Sequence, residues 1–443
     1  MPKACACLRR TLIAVLLVCC CTEYAHAAPD EELLGKDLGY PVGTPTTWFS
    51  DERVRVGSFS QLDSILPYHR LLRADRPRAL PVATTTPEYT YTGGTIDDFL
   101  ARRRITGLMV IKDGVVQLER YQYGRTPEHR LLSNSMAKSI TSIAVGFALQ
   151  EGRIRSLDDN AAVYVPELAN SAYGETPIRA LLRMSSGVQF SERYDGADDL
   201  SKYVFRHFRD GTISALRSFS TRDTPAGQRF QYASVETIVL GFVIRGATGQ
   251  TLSDYVADRL WRPMGAEADA TWIVDPGGVE YAWGHFNASL RDWGRLAMLL
   301  ADDGARDGKQ IIPRDYLLEA TDFNRHPPAF APGAATPYYG YGYQFWTFPG
   351  ESRRFALLGV FGQSIFVDPQ IRLALIITAA QRDPVSIGDG YGAERNALWR
   401  RIVERYGTWR QRSQNPIPAL FVLPETTRSS PAVTYPGTRI GTE

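Results

Sequence analysis

Two short apolar segments joined by a tight turn, and followed at once by an apolar helix, constrain the fold of this chain most strongly. Residues 107–111 and 115–121 have strand composition, and Asp113-Gly114 between them favours the positive φ angles of a β-hairpin turn. Apolar residues then recur at helical spacing over 140–148, and Gly152 ends the helix. The sequence therefore predicts two strands that precede a buried helix.

The rest of the chain extends this pattern on both sides. Thr95, with acidic residues after it, caps a predicted helix over 95–104. Residues 153–284 show turn chemistry between helical segments and no strand alternation, and after them strand patterns return. The later predicted strands are 341–346, 355–361, 364–367 and 373–378, and the later helices are 289–300 and 393–406. This order predicts an α+β fold, with an antiparallel sheet assembled from both ends of the chain and flanked by helices.

The same patterns divide the chain into segments. A helical subdomain is inserted into a sheet domain, and irregular sequence precedes and follows them. The predicted segments are a signal peptide at 1–27, an N-terminal extension at 28–92, the sheet domain at 93–152 and 285–410, the helical subdomain at 153–284, and a C-terminal tail rich in Pro, Ser and Thr at 411–443.

The first segment is typical of secretory signals. Basic residues lead into the apolar run 11–21, and Ala25-His26-Ala27 forms a small-x-small cleavage site. A membrane anchor is the alternative, but the run is only about half of the ~20 residues that a span needs. A lipoprotein signal is less favoured, because residues that are not small precede the candidate cysteines. We expect a periplasmic or secreted protein without a membrane span after cleavage.

Composition excludes several classes of function. All five cysteines lie within 1–27, so the mature chain has no disulfide, catalytic thiol or cysteine-ligated metal. The formal charge of +2 also falls to about zero without that segment, which gives no indication of a nucleic-acid partner. No His-Glu-x-x-His motif and no glycine-rich phosphate loop occurs, so we expect neither a metal nor a cofactor.

A Ser-x-x-Lys tetrad at the start of the buried helix carries the first indication of chemistry. Ser135 and Lys138 are three residues apart and share a helix face. A serine hydroxyl needs a base to become a nucleophile, and a lysine can act as that base when burial lowers its pKa. Lysine is scarce here, with six against 44 arginines, and Lys138 is the only one with a serine three residues before it. A single tetrad is also within chance, so it needs support from elsewhere.

That support comes from Tyr232, at the start of a predicted helix. A phenol whose pKa is lowered by a nearby ammonium can accept the serine proton and later return it to the leaving group. With Ser135-Met136-Ala137-Lys138 and Tyr232-Ala233-Ser234 in this order, the chain resembles the serine β-lactamase and penicillin-recognising superfamily over about residues 90–405. Its class C-like branch, in particular the 6-aminohexanoate-dimer hydrolases, is most similar.

The resemblance implies a β-lactamase/transpeptidase-like fold and specific roles. Ser135 would be the acylated residue, and Lys138 its proton acceptor or relay. In the segment 359–369, Val360 stands where family members carry a cationic or imidazole side chain for the β-lactam carboxylate, which disfavours efficient β-lactam hydrolysis. Main-chain N–H groups near Gly362 and Gln363, with that of Ser135, would form the oxyanion hole.

Further residues are candidate substrate contacts by the same resemblance. Tyr194 and Asn287 match positions at the cleft, although either is equally consistent with a satisfied polar group in the interior. Aromatic residues indicate an apolar acyl pocket or ordinary core packing; they are Tyr194, Trp283, Phe286, Tyr343 and Trp346. Of the histidines, only His285 is placed near the cleft.

The function predicted from the sequence is an exported serine hydrolase that cleaves ester, amide or peptide-like bonds through an acyl-enzyme. One alternative is a non-catalytic sensor or binding protein of the penicillin-recognising type, and another is a true β-lactamase or D-Ala-D-Ala peptidase. A Ser-His-Asp hydrolase is disfavoured, because no Gly-x-Ser-x-Gly elbow occurs. The sequence leaves the substrate itself open.

Overall fold

The computed structural model of the protein describes residues 28–385 and 390–410. The predicted signal peptide and the predicted C-terminal tail lie outside these residues. Strands from both ends of the described chain form a central antiparallel sheet, as the sequence predicted. Its seven strands lie in the order Gly340–Tyr341, Trp346–Thr347, Phe355–Gly359, Gln363–Asp368, Leu373–Ala379, Ile105–Lys112 and Val115–Tyr121. The early hairpin therefore pairs with the last strand of the described chain.

The strands of the described residues, numbered along the chain, are β1 Tyr68–Leu71, β2 Thr90–Tyr91, β3 Gly94–Thr95, β4 Ile105–Lys112, β5 Val115–Tyr121, β6 Leu131–Leu132, β7 Ala270–Ile273, β8 Phe286–Ala288, β9 Ala305–Arg306, β10 Lys309–Gln310, β11 Gly340–Tyr341, β12 Trp346–Thr347, β13 Phe355–Gly359, β14 Gln363–Asp368 and β15 Leu373–Ala379. The predicted hairpin is confirmed, because Asp113 (φ 51°) and Gly114 (φ 80°) both take the left-handed conformation between β4 and β5.

The helices are α1 Glu52–Ser58, α2 Ile96–Arg102, α3 Ala137–Gln150, α4 Ile178–Leu182, α5 Asp199–Asp210, α6 Thr212–Arg217, α7 Ser234–Thr248, α8 Leu252–Val256, α9 Leu290–Ala301, α10 Arg314–Thr321 and α11 Tyr391–Tyr406. The predicted cap of α2 is confirmed as a capping box between Thr95 and Asp98. Helix α3 is buried from Ala137 to Ala148, in agreement with its predicted apolar character.

Both faces of the central sheet are covered by helices. Successive residues of a strand point to opposite faces, so in β4 Leu108 and Val110 pack with α2 and α11, whereas Met109 and Ile111 pack with the larger core around α3 and α9. Covering on both sides explains why β4 and β15 are continuous apolar runs without polar alternation. On the side of the larger core, α9 lies directly on β4, β14 and β15.

A second, four-stranded sheet was not predicted. Its order is β1-β7-β8-β6, and it joins strands from four different parts of the chain. Strand β7 (Ala270–Ile273) corrects the prediction that residues 153–284 contain no strand, and β1 and α1 show that the N-terminal extension is partly regular. These strands are short and fully apolar or mixed, so they carry no period-two pattern, and tertiary pairing decides their conformation.

The prediction of one strand over 341–346 is also wrong. The chain reverses between β11 and β12, with Gln344 in the left-handed conformation (φ 61°) and Gly342 packed tightly against the main chain of Ala320. Aromatic residues on both sides of this turn are buried, which gave the sequence its strand-like composition. Within residues 28–385 and 390–410, no helix has the length and apolar character that a bilayer crossing requires.

Candidate active site

Ser135 lies at the entrance to the buried helix. Strand β6 leads into a 3-10 turn, Asn134–Met136, which continues directly as α3, so the serine lies in the turn that opens the helix. Asn134 takes the left-handed conformation (φ 43°), a strained choice that asparagine tolerates better than most residues. Ser135 is 8 % exposed, so most of its surface is shielded from solvent.

Lys138 contacts the serine directly. Its Nζ lies 2.9 Å from Ser135 Oγ and donates a second hydrogen bond of 3.0 Å to the main-chain oxygen of Trp283. The side chain is 1 % exposed. Burial lowers the pKa of Lys138 to about 8, against an opposing effect of the negative charge of Glu192. The neutral amine, the form that can accept a proton, is therefore far more populated at neutral pH than in an ordinary lysine.

Tyr232 completes the predicted group of three. It lies in the loop before α7, its ring centroid 5.1 Å from Lys138 Nζ, and it stacks on Trp346 with ring centroids 5.6 Å apart. Burial raises the pKa of Tyr232, Glu192 adds to the rise, and a hydrogen bond with Ser135 only partly opposes it. This direction is opposite to the one we predicted from the nearby ammonium. The phenol is therefore protonated at neutral pH.

Glu192 is a residue of this site that the sequence analysis missed. Its carboxylate accepts hydrogen bonds of 2.7 Å from both the main-chain N–H and the hydroxyl of Ser234, at the start of α7. It also accepts a bond of 2.5 Å from the Tyr194 hydroxyl. A carboxylate at a helix N-terminus interacts favourably with the helix dipole. The only signal in the sequence was its position two residues before the candidate Tyr194.

The structure separates the two candidate substrate contacts. Tyr194 is half-buried, takes the left-handed conformation (φ 60°), and is linked through Glu192 to the loop that carries Tyr232. Asn287 instead lies inside β8 with no exposed surface, and its amide donates to His285 O (3.1 Å) and Thr271 Oγ1 (3.2 Å). Tyr194 is thus linked to the segment that carries Tyr232, whereas Asn287 lies in the interior of the second sheet.

The end of β13 lies against the serine turn. The side-chain amide of Asn134 donates a 3.0 Å hydrogen bond to Val360 O. Gly359 approaches so closely that an added Cβ would lie 2.5 Å from Ser133 O, so only glycine fits there. In residues 28–385 and 390–410, nothing accepts a hydrogen bond from the main-chain N–H of Ser135 or of Val360. Both groups are free to act as donors.

The side chain of Gln363 and the main-chain oxygen of Gly362, beside the main-chain N–H groups that we predicted for the oxyanion hole, bond to the neighbouring strand and helix. The Gln363 amide donates to Ala379 O (2.6 Å) and its oxygen accepts from Ala379 N (3.0 Å), so this side chain fixes β14 to β15. Gly362 O accepts a 2.8 Å bond from the Tyr391 hydroxyl. The main chain of Gly359 and Val360 also contacts the serine turn directly, just before the predicted residues.

Comparison with known proteins places this site in a family. The model of the family described as Beta-lactamase matches residues 94–398, more than half of the 443-residue chain. The chain belongs to the Beta-lactamase family. This membership confirms the resemblance predicted from the sequence and identifies the protein as a serine hydrolase.

Relatives within the Beta-lactamase family agree with this result. The 6-aminohexanoate-dimer hydrolase of Paenarthrobacter ureafaciens is 27 % identical over 364 residues, which cover 78 % of this chain and 91 % of that protein. A solved structure titled "Putative 6-aminohexanoate-dimer hydrolase from Bacillus anthracis" has a TM-score of 0.72 at 22 % identity and covers 82 % of this chain and 98 % of that one. At this identity the structural likeness shows the fold, and it confirms the predicted α+β class.

A second solved structure shares the fold. EstCE1, titled a hydrolase with promiscuous acyltransferase activity, has a TM-score of 0.54 at 14 % identity and covers 67 % of this chain and 94 % of that one. The shared architecture therefore reaches beyond the 6-aminohexanoate-dimer hydrolases. It leaves the chemistry of this Beta-lactamase family member to be argued from its own side chains.

Other groups near the serine are unsuited to be its base. Burial, together with the positive charge of Lys138, lowers the pKa of His285 to about 3, and its Nδ1 has no hydrogen-bond partner in the described part of the chain. Of the predicted pocket aromatics, Trp283 lies beneath the Lys138 amine and Trp346 stacks on Tyr232. Phe286 and Tyr343 are instead fully buried in the core. Lys138 thus contacts Ser135 directly, and its lowered pKa of about 8 is closer to neutrality than that of an ordinary lysine.

Proposed function

We propose that this hydrolase cleaves ester or amide bonds of small molecules through an acyl-enzyme on Ser135. The observation that carries the proposal is the 2.9 Å contact between Ser135 Oγ and the buried amine of Lys138. Because the pKa of Lys138 is lowered to about 8, the neutral amine needed to accept the serine proton is available at neutral pH. Tyr232, the third residue of the candidate group, is the acid that donates a proton to the leaving group.

In the acylation step, Ser135 Oγ forms a bond to the substrate carbonyl carbon while its proton passes to Lys138 Nζ. The carbonyl oxygen becomes an oxyanion. Breaking the bond to the leaving group then restores the carbonyl, and the leaving oxygen or nitrogen takes the phenol proton of Tyr232. Lys138 then passes the proton taken from Ser135 to the Tyr232 phenolate, which regenerates the neutral amine and the neutral phenol. Because the pKa of Tyr232 is raised, the phenol carries a proton at neutral pH that can pass to the leaving group.

The oxyanion is stabilised by the main-chain N–H groups of Ser135 and Val360. Their freedom from other hydrogen bonds and the packing of Val360 against Asn134 support this pairing. Preorganised main-chain donors of this kind contribute about 2.7–4 kcal/mol each to the transition state in serine hydrolases. In the second half of the reaction, water attacks the acyl-enzyme with Lys138 again as base, and Ser135 is released with the product acid.

Neutral acyl substrates suit the site better than β-lactams or D-Ala-D-Ala peptides. Val360 offers no cationic side chain for a substrate carboxylate at the strand end beside Ser135. Similarity to a protein named 6-aminohexanoate-dimer hydrolase supports an amide as one substrate class. A purely binding function is less well supported, because the three residues of the acylation chemistry are all present and in contact.

We also propose that the protein is exported and acts in the periplasm or outside the cell. The basic start, the apolar run 11–21 and the Ala25-His26-Ala27 pattern support cleavage after residue 27. Its substrates would then be small molecules outside the cytoplasm, with no nucleic-acid partner.

The test is the intact mass of the mature protein after brief exposure to a p-nitrophenyl acyl ester, with release of nitrophenol measured in parallel. We expect an acyl adduct and turnover in the wild type and in Ser139→Ala, and neither in Ser135→Ala. Ser139 is a matched control, because it lies on the same helix, is buried, and only donates to Gln344 O (2.6 Å). Turnover by a folded Ser135→Ala protein would refute the assignment. If the wild type forms no adduct with an ester, a penicillin or a short oligoamide, a binding function becomes the better explanation.

A further inference from the structure

The turn that carries the Val360 N–H contains a strained residue. Phe361 takes the left-handed conformation (φ 60°), which is an outlier for a bulky side chain. Such conformations persist only where surrounding contacts fix them, and they concentrate at functional sites. Phe361 directly follows Val360, so the strained conformation determines the direction of the backbone that presents the Val360 N–H.

The contacts that fix the Phe361 ring come from the N-terminal extension. Phe49 and Phe59 meet the ring edge to face, with centroids 5.0 and 5.4 Å away. The Arg55 guanidinium lies over the ring, 4.4 Å from its centroid. All three residues fall between positions 49 and 59, well before the 94–398 segment that matches the Beta-lactamase family.

Arg55 also holds the backbone around Phe361. Its Nη1 donates hydrogen bonds to Gln381 O (3.0 Å) and Arg382 O (3.1 Å), and Gln381 N in turn donates to Phe361 O (3.1 Å). Arg55 is 4 % exposed, and although burial lowers its pKa to about 10, it stays charged at pH 7. One buried cation therefore contacts the Phe361 ring and also bonds to Gln381, whose N–H donates to the main chain of the strained turn.

Phe59 connects this turn to the serine. Its ring packs on Phe361, and its main-chain oxygen accepts a 2.8 Å hydrogen bond from Leu132 N, three residues before Ser135. The two candidate oxyanion donors, on Ser135 and on Val360, thus lie on backbone segments that share a support in the extension. A small displacement of that support would move one donor relative to the other.

We propose that Arg55 and Phe59 of the N-terminal extension are positioning residues for the oxyanion hole. The inference rests on the proposed function, since it assigns the extension a role in stabilising the tetrahedral intermediate on Ser135. Oxyanion donors act through their placement relative to the developing charge, and a misplacement of about 1 Å can reduce the rate about 10²-fold. Loss of the contacts from Arg55 and Phe59 should therefore reduce the stabilisation of the transition state and leave the affinity for substrate nearly unchanged.

The experiment compares Arg55→Gln, Arg55→Lys and the matched control Arg125→Gln. Arg125 is also a buried arginine that anchors the extension, through a 2.7 Å bond to Ser60 Oγ, but its guanidinium lies over Tyr40 rather than Phe361. For Arg55→Gln we expect kcat on a p-nitrophenyl ester to fall about 10- to 100-fold, with KM changed less than about threefold. Arg55→Lys, which retains the cation, should recover part of kcat, and Arg125→Gln should keep it within about threefold of the wild type.

A second measurement separates positioning from mere destabilisation. A boronic acid forms a tetrahedral adduct on the serine that places an oxygen in the oxyanion hole, so its inhibition constant for Arg55→Gln should rise in parallel with the loss of kcat. Phe59→Leu removes the ring contact but keeps the main-chain bond to Leu132, and it provides the same test if Arg55→Gln does not fold. A folded variant with unchanged kcat and boronate affinity would overturn the inference. A wild type without turnover and without boronate binding would instead refute the proposed function.

Discussion

The pH dependence of acylation provides a quantitative test of Lys138 as the base. With a pKa of about 8, the neutral fraction of Lys138 is about 0.1 at pH 7, one half at pH 8 and about 0.9 at pH 9. At the ordinary lysine value of 10.5, the neutral fraction at pH 7 would be roughly 300-fold smaller than that. Because the base must be deprotonated, kcat/KM should rise about tenfold from pH 7 to pH 9 and then level off.

The assay is the initial rate of p-nitrophenyl ester cleavage, followed at the isosbestic wavelength of nitrophenol and corrected for spontaneous hydrolysis. The profile of kcat/KM reports groups of the free enzyme. Glu192 raises the pKa of Lys138, so Glu192→Gln should move the midpoint to lower pH. A midpoint near 10.5, a rate that falls with pH in this range, or an unshifted midpoint in Glu192→Gln would refute the reasoning.

The pKa values of the neighbouring titratable groups distinguish their titrations from that of Lys138. His285 is neutral throughout this range, because its pKa is about 3, and Tyr232 stays protonated, because its pKa is raised. The buried Glu236 has a pKa raised to about 8 and would titrate in the same window, although it bonds to Ser186 and not to Lys138. Glu236→Gln is therefore the control, and it should retain the wild-type midpoint.

Two further predictions concern Tyr232 and Glu236. Tyr232→Phe should lower kcat for an amide about 10²- to 10⁴-fold but affect a p-nitrophenyl ester far less, because nitrophenolate leaves without a proton; equal losses on both substrates, measured side by side, would contradict its role as the acid. Burial raises the pKa of Glu236 above its ordinary value of 4.5, so the folded state holds a proton that the unfolded chain releases, and wild-type stability should decline as pH rises from 4.5 to 8. Glu236→Gln should remove that decline, on the order of 1–3 kcal/mol in the free energy of unfolding by urea titration at pH 5 and pH 7.5; an unchanged pH dependence would show that Glu236 is ionised in the folded protein.

Much of the central fold could be predicted because its signals are local. The β4–β5 turn depends on Asp113-Gly114, the start of α2 on a Thr95 cap, and the burial of α3 on the spacing of its own apolar residues. The second sheet gave no such signal. Its strands have two to four residues each, and their pairing partners lie as much as about two hundred positions apart.

The candidate site likewise contains contacts that local sequence predicts and contacts between residues far apart in the sequence. Ser135 and Lys138 are three residues apart, so helical geometry alone brings them together, and the apolar residues after them predict the burial that lowers the pKa of Lys138. The second acceptor of Lys138, Trp283 O, is 145 residues away, and no local pattern indicates it. The direction of the Tyr232 pKa was predicted wrongly, because the depth of burial outweighs the nearby ammonium and is not visible in the sequence.

By itself, the sequence indicated the candidate nucleophile, its candidate base and the order of the main elements, because these depend on spacings of two to four residues along one segment. Only the tertiary structure decided that Val360 lies against the serine turn, that Glu192 bonds to the start of α7 beside Tyr232, and that the N-terminal extension contacts the strained turn at Phe361. Those relations depend on backbone segments that meet in space from distant parts of the chain. Their energies come from packing and desolvation, which a single sequence does not specify.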